Sequence, residues 1–105
     1  MACETLAKRS ESQLAKHIRT VSKTTERVAF TKHARTQMRM RKVSPTEVFE
    51  CIRHGVIRRP PEISGDGASL ECRMERYVAG RELAVVVALC DEDPDAVLVT
   101  VFISK

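Results

Sequence analysis

The sequence predicts an α+β fold in which two or three helices pack on one face of a three- to four-stranded antiparallel sheet. Two observations predict it. Apolar positions recur at helical spacing before residue 55, and strand-like alternation or continuous apolar runs follow residue 69. Separate runs of helices and strands are typical of this class. The chain has 105 residues and can bury one core, so we expect a helical arm over residues 1–25 and one compact domain over residues 26–105.

The arm contains one amphipathic helix. Leu14, Ile18 and Val21 follow a helical period, and polar residues separate them. The apolar side of this helix could dock on a second copy of the chain, so one expectation is a homodimer built through it. After the arm, Val28 and Phe30 alternate with less apolar neighbours, which predicts a brief edge strand.

The stretch 30–42 is predicted to be an amphipathic helix. Phe30, Ala34 and Met38 are spaced by four and form its apolar stripe. Thr31 is a suitable N-cap. The polar side carries five cations and one histidine, which are Lys32, His33, Arg35, Arg39, Arg41 and Lys42.

The next helix has the clearest boundaries. Ser44 is predicted as its N-cap and Pro45 as its first residue, and Glu47 completes a capping box. His54 complements the negative end of the helix dipole. Gly55 is predicted to end the helix in a left-handed conformation.

The remaining chain is predicted to be extended or β. Two arginines and two prolines over residues 58–61 predict an exposed, extended segment. Residues 70–78 alternate between apolar and polar, and 79–81 read as a hairpin turn. Residues 83–90 and 96–103 are apolar on both faces, as in central strands.

The charge is distributed unevenly along the chain. Residues 1–62 carry 14 Lys/Arg and 6 Asp/Glu, a net charge of +8, whereas residues 63–105 carry 4 and 8, a net charge of −4. The basic part is the natural side to meet RNA or an acidic protein partner. The alternative is two solvated faces of opposite sign.

Several functional classes find no support in the composition. The chain has no Trp and one Tyr, so an aromatic platform for stacked bases is poorly supported. The four cysteines have no metal-ligand spacing, and no phosphate loop or serine-hydrolase motif occurs, so no metal or cofactor is expected. Residues 1–6 lack an apolar leader and the thiols suit a reducing cytoplasm. No apolar run approaches the length of a membrane span, so no membrane partner is expected.

One set of residues could cleave RNA without metal. His33 would remove the proton of the ribose 2′-hydroxyl, and arginines would stabilise the charge that develops on the phosphate oxygens. Arg76 has the parity of core-facing strand residues, where a charge is costly unless it is paired or opens onto a cleft. The alternative is that Arg76 lies near a strand end and extends its charged group to solvent. The predicted catalytic set is His33, Arg39, Arg41, Arg76 and Thr100, and the predicted binding set is Lys32, Arg35, Lys42, Arg58 and Arg59.

The residues resemble a known family. The N-terminal part of the pattern resembles the first residues of domain-of-unknown-function family 4258. The residues that carry this resemblance are Phe30, Thr31, His33, Ala34, Met38, Arg41, Ser44, Glu47, Val48 and Gly55. The family's closing hairpin is similar to residues 83–89 and 100–101. The resemblance covers about residues 27–104 and implies a compact fold similar to the RelE/ParE-like toxins of bacterial toxin–antitoxin systems. It also implies that His33 is the motif histidine and Arg41 the arginine before the second helix.

Two functions are therefore expected. The first is that of a small cytoplasmic protein that binds RNA and cleaves it without metal. Such a protein would be a ribonuclease toxin, which an acidic or amphipathic antitoxin neutralises. Several RelE/ParE-like toxins are ribonucleases of this kind. The alternative is a non-catalytic binding module from a mobile element or phage, which inhibits a target nucleic-acid enzyme by protein contact.

Overall fold

The computed structural model describes the backbone of residues 4–65 and 67–104, and the side chains of residues 6–65 and 67–100. Within these residues, besides a 3-10 helix at Thr25–Arg27, a short α-helix, three longer α-helices and six strands are present. In chain order they are α1 (Glu4–Ala7), α2 (Glu11–Val21), β1 (Val28–Phe30), α3 (Lys32–Met40), α4 (Pro45–His54), β2 (Val56–Ile57), β3 (Glu62–Ile63), β4 (Leu70–Val78), β5 (Arg81–Cys90) and β6 (Asp93–Ser104). None of the helices in this part of the chain is long and apolar enough to cross a membrane.

The strands form one sheet in the order β1-β6-β5-β4-β2, and β3 also pairs with β4. The α+β class is confirmed. The predicted three to four antiparallel strands are corrected to six in the described chain, and β1 runs parallel to β6, with Ala29 opposite Leu98. β2 and β3 have only two residues each, which is too short to show a period in the sequence.

The long strands follow the predicted alternation. Leu70, Cys72 and Met74 of β4 are buried, and the residues between them are partly exposed on the other face of the sheet. The turn from β4 to β5 places Ala79 at φ 52 and Gly80 at φ 84. Two consecutive residues with positive φ are typical of a two-residue hairpin turn whose twist suits the flanking strands.

The arm predicted over residues 1–25 includes α2. Ser10 caps this helix in a capping box with Gln13, and Leu14 and Ile18 are buried in the same core as the sheet. The helix packs against α4, β2 and β6. Its apolar side is therefore used within the chain, and the homodimer through this helix stays a prediction.

The two helices after β1 begin at the predicted caps. Thr31 accepts a hydrogen bond from the backbone of Ala34 at 3.1 Å, and Ser44 accepts one from Glu47 at 3.3 Å. Phe30 precedes α3 as the last residue of β1, so the predicted apolar stripe of the helix is shorter. The Phe30 ring instead contacts Phe49 of α4 edge to face, with centroids 6.0 Å apart.

The left-handed conformation predicted for Gly55 is wrong. Its φ is −75° and its ψ 177°, which is extended backbone. Space is what requires glycine here, since a Cβ atom would lie 2.9 Å from the carbonyl oxygen of Glu75 and would also clash with that of Cys51. Gly55 thus allows α4 to end directly against β4.

Candidate nucleic-acid interface

Five exposed cations on α3 and the turn after it form what we call the basic surface, which consists of Lys32, Arg35, Arg39, Arg41 and Lys42. Ala34 and Met38 are the buried positions of α3 and fix its orientation on the sheet. At about 100° per residue, Lys32, Arg35 and Arg39 then lie within an arc of about 60° on one flank of the helix. The first turn of α3 contains no acidic residue.

The side chains of the basic surface have no carboxylate or hydrogen-bond partner among the described residues. Of the nine arginines elsewhere, Arg9 and Arg59 likewise have no such partner among the described residues. The other seven contact carbonyl or carboxylate oxygens of the protein, and these are Arg19, Arg27, Arg53, Arg58, Arg73, Arg76 and Arg81. Because no local carboxylate offsets it, the positive potential of the basic surface is available to an external anion. Its guanidinium groups can form charge-assisted hydrogen bonds with phosphate.

The turn after α3 is held in a strained conformation. Lys42 has a φ of 56°. The Val43 amide donates to the carbonyl of Met38 at 2.9 Å, and the Lys42 amide donates to that of Arg39 at 3.3 Å, which is the Schellman pattern. Glycine is the usual residue at this position, and a side chain there costs about 1 kcal/mol. This backbone conformation places the Lys42 side chain next to the other residues of the basic surface.

Arg81, which is absent from the predicted site residues, fixes this turn to the sheet. Its guanidinium donates to the carbonyl oxygens of Arg41 at 3.2 Å and Lys42 at 3.1 Å, and to the carboxylate of Glu47 at 3.2 Å. A cation is favourable at these carbonyls because they end a helix. Arg81 has the core-facing parity of Leu83, and this is the sequence signal that could have revealed it.

Arg76 of β4 reaches the end of α4 and has no hydrogen bond or ion pair with a described residue of α3. Its guanidinium donates to the carbonyl of His54 at 3.1 Å and approaches the carboxylate of Glu50 at 3.8 Å. The same carboxylate lies 3.5 Å from Nε2 of His54. The histidine that stands beside Arg76 is therefore His54, which the sequence connects only with the helix dipole.

No hydrogen bond joins His33 to Thr100, although the Thr100 carbonyl accepts one at 3.1 Å from Thr31, the N-cap of α3. His33 is exposed and has no hydrogen bond or ion pair with a described residue. It lies about 120° around the helix from Arg39. Thr100 occupies an irregularity between β5 and β6, and its hydroxyl donates to the carbonyl of Val86 at 3.1 Å. The contacts of the five predicted catalytic residues thus do not join them into one group.

The segment after α4 is less free to bind an anion than the sequence indicates. Arg58 approaches the carboxylate of Glu75 at 3.9 Å. Arg59 is exposed and borders a cavity of about 180 Å³, together with Arg73, Glu62 and other residues. Nearby carboxylates therefore offset part of the positive charge, and the basic surface on α3 is the stronger candidate for phosphate contacts.

The buried thiols are not candidates for a reactive centre, and no metal cluster is found among the described residues. Burial raises the pKa of Cys51 from 9.0 to about 12, and it raises that of Cys72 likewise to about 12. Neither thiol is therefore a nucleophile near neutral pH. The described residues contain no group of three or more His, Cys, Asp or Glu side chains that could hold a metal ion.

Comparison with known proteins places the chain in one family. Neither a curated protein nor a solved structure matches it significantly. One family profile, described as Domain of unknown function (DUF4258), matches residues 30–103, a region that begins in β1 and ends in β6. That match covers most of the 105 residues, and the chain therefore belongs to the DUF4258 family.

Proposed function

We propose that this protein binds RNA through the basic surface. The observation that supports the proposal is the set of five exposed cations on one helix and its turn, without carboxylate partners among the described residues. Backbone phosphates are spaced regularly along RNA, so a row of cations can meet several of them at once. Such contacts give affinity without base specificity.

The test is the binding of labelled single-stranded RNA to a charge-reversed variant. In Arg35→Glu/Arg39→Glu, two adjacent positions of the basic surface change sign. The matched control is Lys16→Glu/Lys23→Glu, which changes the net charge equally at two exposed cations elsewhere in the chain. We expect the first variant to lose affinity by about 100-fold or more at low salt and the control by about threefold or less.

Equal losses in the two variants would mean that net charge alone attracts RNA, and the proposed surface would be wrong. If RNA does not bind at all, the RNA proposal is wrong, and an acidic protein becomes the candidate partner of the basic surface. Such a partner would bind wild-type protein and would be lost in Arg35→Glu/Arg39→Glu.

A second candidate function is metal-independent cleavage of the bound RNA. The arrangement that favours it is the contact group of Glu50, His54 and Arg76 at the end of α4. A carboxylate can orient an imidazole, and the imidazole can remove the 2′-hydroxyl proton. The 2′-oxygen then attacks phosphorus and displaces the 5′-oxygen, which takes a proton from water, while the guanidinium stabilises charge on the phosphate oxygens. The proposed similarity to RelE/ParE-like toxins, some of which cleave RNA without metal, supports the same activity. In such a system an antitoxin would neutralise the protein.

The two exposed histidines provide a matched pair for testing cleavage. RNA is incubated with the protein in the presence of a chelator, and the products are separated by size. If the α4 group is catalytic, His54→Gln lowers the rate by about 100-fold, whereas His33→Gln changes it little. The reverse result would assign the chemistry to His33. Intact RNA at high concentrations of wild-type protein would exclude cleavage.

A further inference from the structure

The face of the sheet opposite α3 contains a cavity of about 530 Å³, which the 3-10 helix Thr25–Arg27 borders. Ala29, Leu98 and Ala88 are neighbours in register across β1, β6 and β5 and form part of its floor, with Ala96 beside them. Because the alanine side chains are short, they leave a hollow above this part of the sheet. Leu98 is 39% exposed there, which is high for a leucine in the middle of a sheet.

The rim of this cavity is acidic. Glu26, Asp93 and Asp95 border it, and Arg27 is the cation at its edge. Arg27 lies 3.9 Å from the carboxylate of Asp95 and so offsets that charge. Glu26 and Asp93 are exposed, and their carboxylates have no hydrogen bond or ion pair with a described residue. The cavity therefore combines an apolar floor with two uncompensated negative charges.

We propose that this acidic cavity binds an extended segment of another protein in which apolar and basic residues alternate. A leucine-sized side chain would fill the hollow over Ala88, and lysine or arginine side chains would reach Glu26 and Asp93. An extended segment that crosses β1, β6 and β5 on this face fits, because its alternate side chains then point toward the sheet and can reach the hollow.

The acidic cavity lies on the opposite face of the sheet from α3. Ala34 of α3 is buried in the core on one side of β6, whereas Leu98 of β6 points to the other side. The proposed docking therefore uses none of the residues of the basic surface. The protein could hold RNA on one face and a basic protein segment on the other.

The test measures the fluorescence anisotropy of a short labelled peptide of alternating leucine and lysine. In Glu26→Gln/Asp93→Asn, the affinity should fall about tenfold, because two exposed ion pairs are lost. The matched control neutralises two exposed carboxylates elsewhere, Glu62→Gln/Glu82→Gln, and should change the affinity about twofold at most.

A second variant tests the apolar floor. Ala88→Leu fills the hollow and should also lower the affinity for the peptide by about tenfold or more. If this variant does not fold, the exposed positions Glu26 and Asp93 still decide the question. Arg35→Glu/Arg39→Glu should leave peptide binding unchanged, and this separates the docking proposal from RNA binding.

Four results would overturn the proposal. The first is equal affinity of the neutralised and wild-type proteins, and the second is equal binding of a leucine–glutamate peptide. Binding of octylamine in the cavity together with no measurable binding of the peptide would assign the cavity to a small hydrophobic cation instead. Concentration-dependent self-association that disappears in Ala88→Leu would show that a second copy of this chain is the occupant.

Discussion

Replacing Arg81 tests how the basic surface is built. The Arg81 guanidinium donates to the carbonyls of Arg41 and Lys42 and pairs with Glu47, and its side chain is only 30% exposed. Hydrogen bonds that involve a charged group contribute about 1.5 kcal/mol or more each, and Arg81→Ala also leaves a half-buried carboxylate unpaired. We therefore expect the free energy of unfolding to fall by about 3 kcal/mol.

Urea unfolding measures this loss, and hydrogen exchange shows where it occurs. The amide of Val43, which donates to Met38 in the turn, should exchange faster in Arg81→Ala than in wild-type protein. Arg59→Ala is the control, because Arg59 is exposed, and it should change the stability by about 0.5 kcal/mol at most. A loss below about 0.5 kcal/mol in Arg81→Ala, with unchanged exchange at Val43, would refute the proposed role of Arg81.

Three further predictions concern backbone strain, close packing and the thiols. Lys42→Gly should raise the free energy of unfolding by about 1 kcal/mol in urea because it removes the strain at φ 56°, while RNA affinity falls; lower stability would contradict this account. Gly55→Ala should lower the stability by about 2 kcal/mol or more in the same assay, since its Cβ would meet the Glu75 carbonyl, and an unchanged midpoint would argue against that contact. The pKa values of Cys51 and Cys72 are about 12 in the folded protein and 9.0 in the unfolded chain. Burial of the two neutral thiols therefore contributes its full stability to the folded state below pH 9, and this contribution is lost as the pH rises toward 12. At about 1.4 kcal/mol per pH unit for each thiol, urea unfolding should give a stability about 3 kcal/mol lower at pH 10 than at pH 8, and a difference under about 1 kcal/mol would contradict the shifts.

Local features of the fold could be predicted from the sequence. The N-caps Thr31 and Ser44 and the alternation of β4 depend on residues within a few positions of one another. Their physical causes, hydrogen bonds from nearby backbone amides and the twofold repeat of a strand, are visible in a short window.

Features that depend on distant pairing could not be predicted. β1 has three residues and pairs with β6, which follows after more than 60 residues of chain. Gly55 illustrates the same limit. The group that requires a glycine there is the carbonyl of Glu75, which belongs to a strand that lies later in the sequence. No local pattern reports the approach of such a group.

The candidate site was predictable only in part. The exposed cations of α3 follow from helical spacing alone. The parity of Arg76 correctly indicates a charge on the helix side of the sheet, but parity does not say which groups lie above it. In the structure those groups are the carbonyl of His54 and the carboxylate of Glu50, and both belong to α4 rather than α3.

The salt dependence of RNA affinity tests the central claim most directly. If about four phosphates contact the basic surface, log K for single-stranded RNA should fall with log salt concentration with a slope of about −3. In Arg35→Glu/Arg39→Glu the slope should be about half as steep or flatter. A wild-type slope near zero, or equal slopes in the two proteins, would contradict an RNA interface at α3.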